Sequence, residues 1–333
     1  MALCLILTSL LTACRNSSDI WNDTSSLPTP TPEKVLSDQF TMVLHDAESS
    51  YDPTMEVGEE MQGLMSLSIE SLFSLDDQQR PVPSLCSEYS SSEEGMVWTF
   101  RIRQDILFHD GTPLDAHKVA ACLDELRDSA SWNWIFRYFA SYEATADDEL
   151  TIRAQEGSNG YALLYAMTFP VYLRGDHIYG TGPYRLVQER YTNTLVRNGY
   201  WWQDAYDAVV SVPGIDLVPT ASPTDVRDDF EYGVTSVVCT DPNSAAYVDY
   251  HCDYELWNCS TTIMDYIGFN VYHGLFSITE LRVALTNIID RKSIATELYH
   301  GYAEAAVLPA SPLSSFYDET LAAQYDYDPE KFI

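Results

Sequence analysis

The side chains suited to chemistry are few and scattered. His109-Asp110 could bind a metal or move a proton, but Gly111 and Pro113 stand beside them, and that composition is turn chemistry. His45, His177, His251, His273 and His300 have no ligand-like spacing. Glu59-Glu60, Glu93-Glu94, Asp147-Asp148 and Asp228-Asp229 are adjacent acids of the kind found on solvated faces, whereas glycoside hydrolysis needs two acids placed across a cleft. Thr181-Gly182-Pro183 opens no helix and is followed by no Walker lysine, so it is backbone geometry rather than a phosphate cradle. Neither His-Glu-x-x-His nor Gly-x-Ser-x-Gly occurs. What remains is aromatic. Trp132, Trp134, Phe136, Tyr138 and Phe139 are clustered, and Tyr161, Tyr165 and Phe169 follow. Aromatic rings in a cleft cover a ligand with apolar surface while keeping a polar tip, and the same rings also serve a packed core.

The elements that would position these residues are short and mixed. Phe40–His45 and Met96–Arg103 alternate as half-buried strands do. Further strands are predicted at Leu150–Ala154, Gly182–Gln188, Thr194–Asn198, Val209–Val212, Val234–Cys239 and Ile263–Val271. Glu59–Phe73 carries Met61, Leu64, Met65, Ile69, Leu72 and Phe73 at helical spacing. Asp115 caps a predicted helix bearing Val119, Leu123 and Leu126. Thr279 caps one bearing Leu281, Leu285, Ile288 and Ile289, and Asp290 caps the next, which Gly301 stops. This mixture argues α/β or α+β.

With 18 basic and 50 acidic residues the net charge is −32. Such a chain repels nucleic-acid phosphates and anionic lipid, so nucleic acid is excluded as a partner and a membrane must be reached covalently or through apolar surface. Met1–Ala13 is apolar and uncharged, like the middle of a signal peptide. Leu11-Thr12-Ala13-Cys14 resembles a bacterial lipobox, which makes residues 1–14 a lipoprotein signal and Cys14 the lipidated mature terminus. Residues 15–34 are rich in Ser, Thr and Pro and read as a tether with a reach of roughly 25 Å. Cys86, Cys122, Cys239, Cys252 and Cys259 remain in the body; Cys252 and Cys259 could close a short loop, though spacing alone does not establish it.

Trp98-Thr99-Phe100-Arg101-Ile102-Arg103 and then Phe108-His109-Asp110-Gly111-Thr112-Pro113-Leu114 closely resemble the signature of the peptide/oligopeptide/nickel family of ABC-transporter solute-binding proteins. Asp52-Pro53, Glu70–Asp76, Pro81–Leu85, Gly180-Thr181-Gly182-Pro183-Tyr184, Asn198-Gly199-Tyr200-Trp201 and the stretch from Arg282 to Tyr302 agree in the family's order. Two departures stand out. His117-Lys118 replaces a usual pair of acids at a helix start, and Pro170–Gly180 is short for the family. The chain ends on a stretch, Tyr327–Ile333, that resembles the start of a family helix.

The resemblance implies an α/β, two-lobed periplasmic-binding-protein (Venus-flytrap) architecture with mixed sheets. Its first lobe would run over residues 35–266. Residues 267–333 would hold a hinge at Gly268, Phe269 and Asn270 and the start of a second lobe left incomplete. It implies a non-enzymatic, extracytoplasmic receptor, lipid-anchored to the bacterial cell membrane, that binds a peptide or other small solute between lobes and delivers it to ABC permease subunits, with no cofactor and no metal of its own. Family members approach ligand with the loop after the first strand and the segment after the signature helix, which points to Tyr51 through Met55 and to Trp132 and Trp134; Tyr138 and Tyr165 are the further aromatic candidates. The solute stays open between peptide, nickel chelate and sugar. A sensor receptor on the same scaffold is one alternative. A secreted hydrolase, which would need a nucleophile–base pair across a cleft, is another.

Two acyl chains anchor stably where one is marginal. Cys14→Ala is therefore expected to release the body into the medium, and mass spectrometry of the membrane fraction to find a mature chain beginning at diacylated Cys14. A soluble product starting elsewhere would contradict this.

Overall fold

The computed structural model describes residues 40–44, 51–158, 160–188, 193–203, 212–219, 222–238, 250–257, 264–312, 314 and 317–332. Cys14, the tether, His45, Val209–Ser211, Cys239, Cys259 and Ile263 lie outside them. Two units are distinguished, one within Met1–Asp76, Pro81–Val238 and Tyr254–Cys259, the other within Asp77–Arg80, Cys239–Asp253 and Ser260–Ile333.

The first unit contains two four-stranded sheets. In one, β1 (Phe40–Leu44) runs parallel to β12 (Gly214–Pro219), which continues antiparallel through β11 (Asn193–Arg197) to β10 (Tyr184–Gln188). The other is antiparallel in the order β4 (Cys86–Ser92), β5 (Val97–Ile102), β7 (Glu149–Ala154), β6 (Phe139–Ala146). Alternation along β5 buries Trp98, Phe100 and Ile102, as read from the sequence. Helix α2 (Ala116–Leu126) lies on β6 and β7 through Val119, Cys122, Leu123 and Leu126. Its cap is Asp115, whose Oδ1 accepts the Lys118 amide at 2.8 Å. The Lys118 ammonium also pairs with the Asp115 carboxylate, so a base at a helix start is offset by its own cap.

Three predicted elements differ. The helix over Glu59–Phe73 stops early, as α1 (Glu59–Ser66). The carbonyls that would carry it onward have other partners: Leu67 accepts from Tyr184 N–H at 3.0 Å, Ser68 from Gly182 at 2.9 Å and Glu70 from Val171 at 2.8 Å. Ile69, Leu72 and Phe73 are still buried, in a turn and in β2 (Phe73–Leu75), which pairs with β3 (Pro81–Pro83). Helical spacing thus arose in a segment whose backbone is claimed by tertiary contacts. The second difference is at Met264–Val271, which forms no strand among the described residues and exposes Tyr266, Ile267 and Val271; alternation without a neighbouring strand makes no ladder. Third, Val212 lies before β12 rather than ending a strand, and Val234–Val238 reduces to one bridge, Met42 to Val237.

In the second unit, α5 (Thr279–Thr286) takes Ile278 as its cap, not Thr279; the Thr279 hydroxyl accepts instead from Arg282. Leu281, Leu285 and Ile289 are half-buried and Ile288 is exposed. Asp290 caps α6 (Arg291–Glu297), accepting the Ser293 amide at 3.0 Å, and Gly301, at φ +82°, follows it. A last short helix, α7, spans Glu319–Ala322. Gly268, Phe269 and Asn270 precede these helices; Asn270 Oδ1 accepts the Tyr272 amide, and Phe269 packs on Phe276 at 4.9 Å.

Among the glycines of the described residues, Gly180 stands closest to its neighbours. A Cβ there would lie 1.9 Å from the Ser68 carbonyl oxygen, backbone that cannot swing away. Gly180→Ala should cost about 3 kcal/mol or more in denaturant unfolding, while Gly199→Ala, with nothing within 4 Å, should be within about 0.5 kcal/mol of the parent. Equal midpoints for the two variants would refute this packing.

Candidate functional site

The sheet end carrying the last residue of β1 is where an open sheet offers a crevice. A small recess of about 20 Å³, room for roughly one water molecule and partly open to solvent, lies there. Leu44 and Leu217 line it from the sheet, Met61 and Leu64 from α1, and Leu186, Gln188 and Asn193 from β10 and β11. Tyr51, from the loop after β1, completes it. Burial raises the Tyr51 hydroxyl well above the ordinary phenol range, and although Ser68 is its polar neighbour, neither hydroxyl makes a well-formed hydrogen bond.

The loop is built around Asp52. Its Oδ1 accepts the Thr54 amide at 2.9 Å and the Thr54 hydroxyl at 2.8 Å, and its carbonyl accepts the Met55 amide. Arg174, in the short strand β8 (Leu173–Arg174) that pairs with β9 (Ile178–Tyr179), lays a two-pronged guanidinium on the carboxylate at 2.9 and 3.0 Å and holds its pKa down to about 2. The far end of the loop is tied by Ser131, whose hydroxyl donates to the Met55 carbonyl at 2.8 Å.

Ser131 leads into the aromatic segment. Trp132 and Trp134 are half-buried and stacked, with ring centres 6.2 Å apart; Trp134 meets Tyr138 edge-on at 6.3 Å. The Trp132 amide donates to the buried Ser129 hydroxyl. The structure therefore joins Tyr51, Met55, Trp132, Trp134 and Tyr138 through one loop, one hydrogen bond and a run of ring contacts. Tyr165 keeps different company, on α3 (Gly160–Ala166) against Tyr161 at 5.4 Å, with the Asp76 charge nearby and burial pushing its pKa up to about 12.

His109 and Asp110 are structural, as turn chemistry suggests. Gly180 N–H donates to His109 Nδ1 at 3.2 Å, so the ring proton sits on Nε2, which donates to the Gly182 carbonyl at 3.0 Å. Both nitrogens are spent on backbone, and burial holds the imidazole pKa below its ordinary value. Asp110 accepts from the Thr112 amide and hydroxyl, with Gly111 at φ +87° between them. Among the described residues no group of three or more His, Cys, Asp or Glu side chains could hold a metal ion. Cys86, Cys122 and Cys252 are free thiols.

Sequence reading missed Glu70. Its carboxylate accepts from Thr181 Oγ1 at 2.7 Å, Trp202 Nε1 at 2.9 Å and Trp201 Nε1 at 3.3 Å, and burial nevertheless pushes its pKa up to about 7. The two tryptophans belong to the Asn198-Gly199-Tyr200-Trp201 stretch and the residue after it, and only the fold brings them to residue 70.

The sequence pattern of the bacterial extracellular solute-binding proteins, family 5 (middle part), matches residues 80–332. The chain is 26% identical over 284 residues to the glutathione-binding protein GsiB of Escherichia coli O1:K1, an alignment covering 79% of this chain and 54% of that protein. It thus spans about half the length of the curated relatives it matches. Two solved structures share its fold. NikZ from Campylobacter jejuni, in complex with Ni(L-His), superposes with a TM-score of 0.68 at 19% identity, covering 89% of this chain and 62% of NikZ. The oligopeptide-binding protein AppA from Bacillus subtilis, in complex with a nonapeptide, gives 0.61 at 17%, covering 88% and 62%. The α/β fold with mixed sheets is that of the two-lobed periplasmic binding proteins.

Glu70 makes stability depend on pH. A folded pKa near 7 against about 4.5 unfolded means the folded state holds the extra proton between those values. Its contribution is therefore full below pH 4.5 and falls as pH rises towards 7, by up to about 3 kcal/mol. His109, with its lowered pKa, acts in the opposite sense, losing stability as pH falls below its unfolded value. The difference in unfolding free energy between the parent and Glu70→Gln isolates the carboxyl: it should move against the parent from pH 4.5 to pH 7. A constant difference would refute the assignment.

Proposed function

The chain belongs to the bacterial extracellular solute-binding proteins, family 5, and from that premise we propose that it is the solute receptor of an ABC importer, with peptides as its solute. It captures solute between two lobes that close on it, and hands it to permease subunits without chemical change. Diacylated Cys14 holds it at the outer face of the cell membrane on the tether of residues 15–34. No helix among the described residues is long and apolar enough to cross a membrane.

The observation that carries the reading is an aromatic face of stacked Trp132 and Trp134, tied by the Met55–Ser131 hydrogen bond to the loop whose Tyr51 lines the recess. Such a face covers side chains and peptide planes by area and stacking, with few directional bonds. The names of its relatives point the same way in part: one is called glutathione-binding, and another was solved with a nonapeptide.

Titration of the full chain with glutathione, a nonapeptide of defined sequence and the nickel–histidine complex, read by tryptophan fluorescence, tests the proposal. One of the two peptides should change the emission and be recovered unaltered by mass spectrometry. Trp132→Ala and Trp134→Ala should each weaken that binding by about 1–2 kcal/mol, roughly 5- to 30-fold. Unchanged affinity in both variants, or a probe returned cleaved, would overturn it.

A further inference from the structure

Arg174 lies in the stretch between Pro170 and Gly180 that is short for the family, yet it carries more ionic contacts than a surface arginine needs. Its Nη1 and Nη2 donate to the two oxygens of Asp52 at 2.9 and 3.0 Å, and its Nε donates to Glu125 Oε2 at 2.7 Å. The same Glu125 oxygen accepts the Tyr172 hydroxyl at 2.9 Å. Tyr172 is itself fixed: its carbonyl accepts from the buried Cys122 thiol at 2.8 Å, and its ring lies 5.6 Å from the guanidinium carbon. One face of the guanidinium thus rests on an anchored ring, and its edges are spent on two carboxylates from different parts of the chain.

We propose that Arg174 is a positioning residue for solute binding, a clamp that holds the 51–55 loop in its receiving arrangement. Beside the packing of Tyr51, the loop has among the described residues two hydrogen-bonded attachments to the rest of the chain, this fork at Asp52 and the Ser131 hydroxyl at Met55. The second leads straight to Trp132 and Trp134. Releasing the first leaves the Thr54 and Met55 amides bonded only to Asp52, a residue then free to turn. A lysine cannot replace the arginine, because one ammonium cannot present two parallel donors to Asp52 and a third to Glu125. The pair joins two surface segments, with side chains 38% and 24% exposed, so it acts on the loop more than on the core, and its loss lowers the thermal midpoint by no more than a few degrees. That the loop receives solute rests on the function proposed above; that Arg174 holds the loop does not.

The test uses the full chain and two readouts. Millisecond hydrogen exchange at the Thr54 and Met55 amides should accelerate about tenfold or more in Arg174→Ala and in Arg174→Lys, with the thermal midpoint lowered by only a few degrees. Glu125→Gln, which keeps an acceptor for Arg174 and leaves the Asp52 fork intact, should exchange like the parent. Unchanged exchange in both arginine variants overturns the clamp, as does acceleration spread evenly over the first unit. Affinity for whichever of glutathione and the defined nonapeptide binds the parent, measured by calorimetry on the same proteins, should fall about tenfold in both arginine variants and stay within about twofold in Glu125→Gln. A parent that binds neither counts against the proposed solute, while the exchange measurement still decides the clamp.

Discussion

Two turns more than a hundred residues apart trade hydrogen bonds across the first unit, and most of that unit is arranged around the exchange. The carbonyls of Leu67 and Ser68 accept from Tyr184 and Gly182, and the Glu70 carboxylate accepts from Thr181. The approach is so close that positions 180 and 182 have no room for a Cβ. His109 clamps the other side of the same turn through both ring nitrogens. Consequences follow in both directions along the chain. Helix α1 must stop at Ser66, which leaves Met61 and Leu64 against the recess. Strand β10 must start at Tyr184, which delivers Leu186 and Gln188 to the same recess.

Charge imposes a second constraint. With 18 bases for 50 acids, acids compete for bases, and two arginines serve two acids each. Arg174 bonds Asp52 and Glu125; Arg101 reaches Asp148 at 2.9 Å and Glu149 at 3.0 Å. The planar guanidinium permits this, since its donors diverge along fixed directions. These pairs lie near solvent and add little to global stability. Their effect is local: they fix where loops sit. The cores that hold the unit are apolar, with Phe73, Phe100, Phe108 and Phe169 fully buried.

The proposed ligand-facing surface is assembled from two kinds of part. Trp132 and Trp134 sit on a short turn after α2, held by the buried Ser129 hydroxyl. Residues 51–55 form no helix or strand and take their shape from hydrogen bonds at Asp52 and Met55. A rigid aromatic edge beside an adjustable loop can take solutes of one general shape and differing detail.

By itself the sequence determined most of what depends on near neighbours, the Thr279 cap excepted. The Asp115 and Asp290 caps, the His109–Thr112 turn and the alternation along β5 rest on residues within a few positions of one another, and each is present. The family was legible because its motifs are contiguous. Tertiary structure decided the rest. Glu59–Phe73 reads as helix to its end, but the Leu67 and Ser68 carbonyls are taken by amides from the Gly182–Tyr184 stretch, and no local rule contains that competitor. Ile263–Val271 reads as a strand, yet alternation says nothing about whether a neighbour stands alongside to pair with it. Within the candidate site, the aromatic cluster was visible because its rings are nearly consecutive. The partners of Glu70 and Asp52 were not, since Trp202 and Arg174 lie 132 and 122 residues away, and periodicity carries no information across such distances.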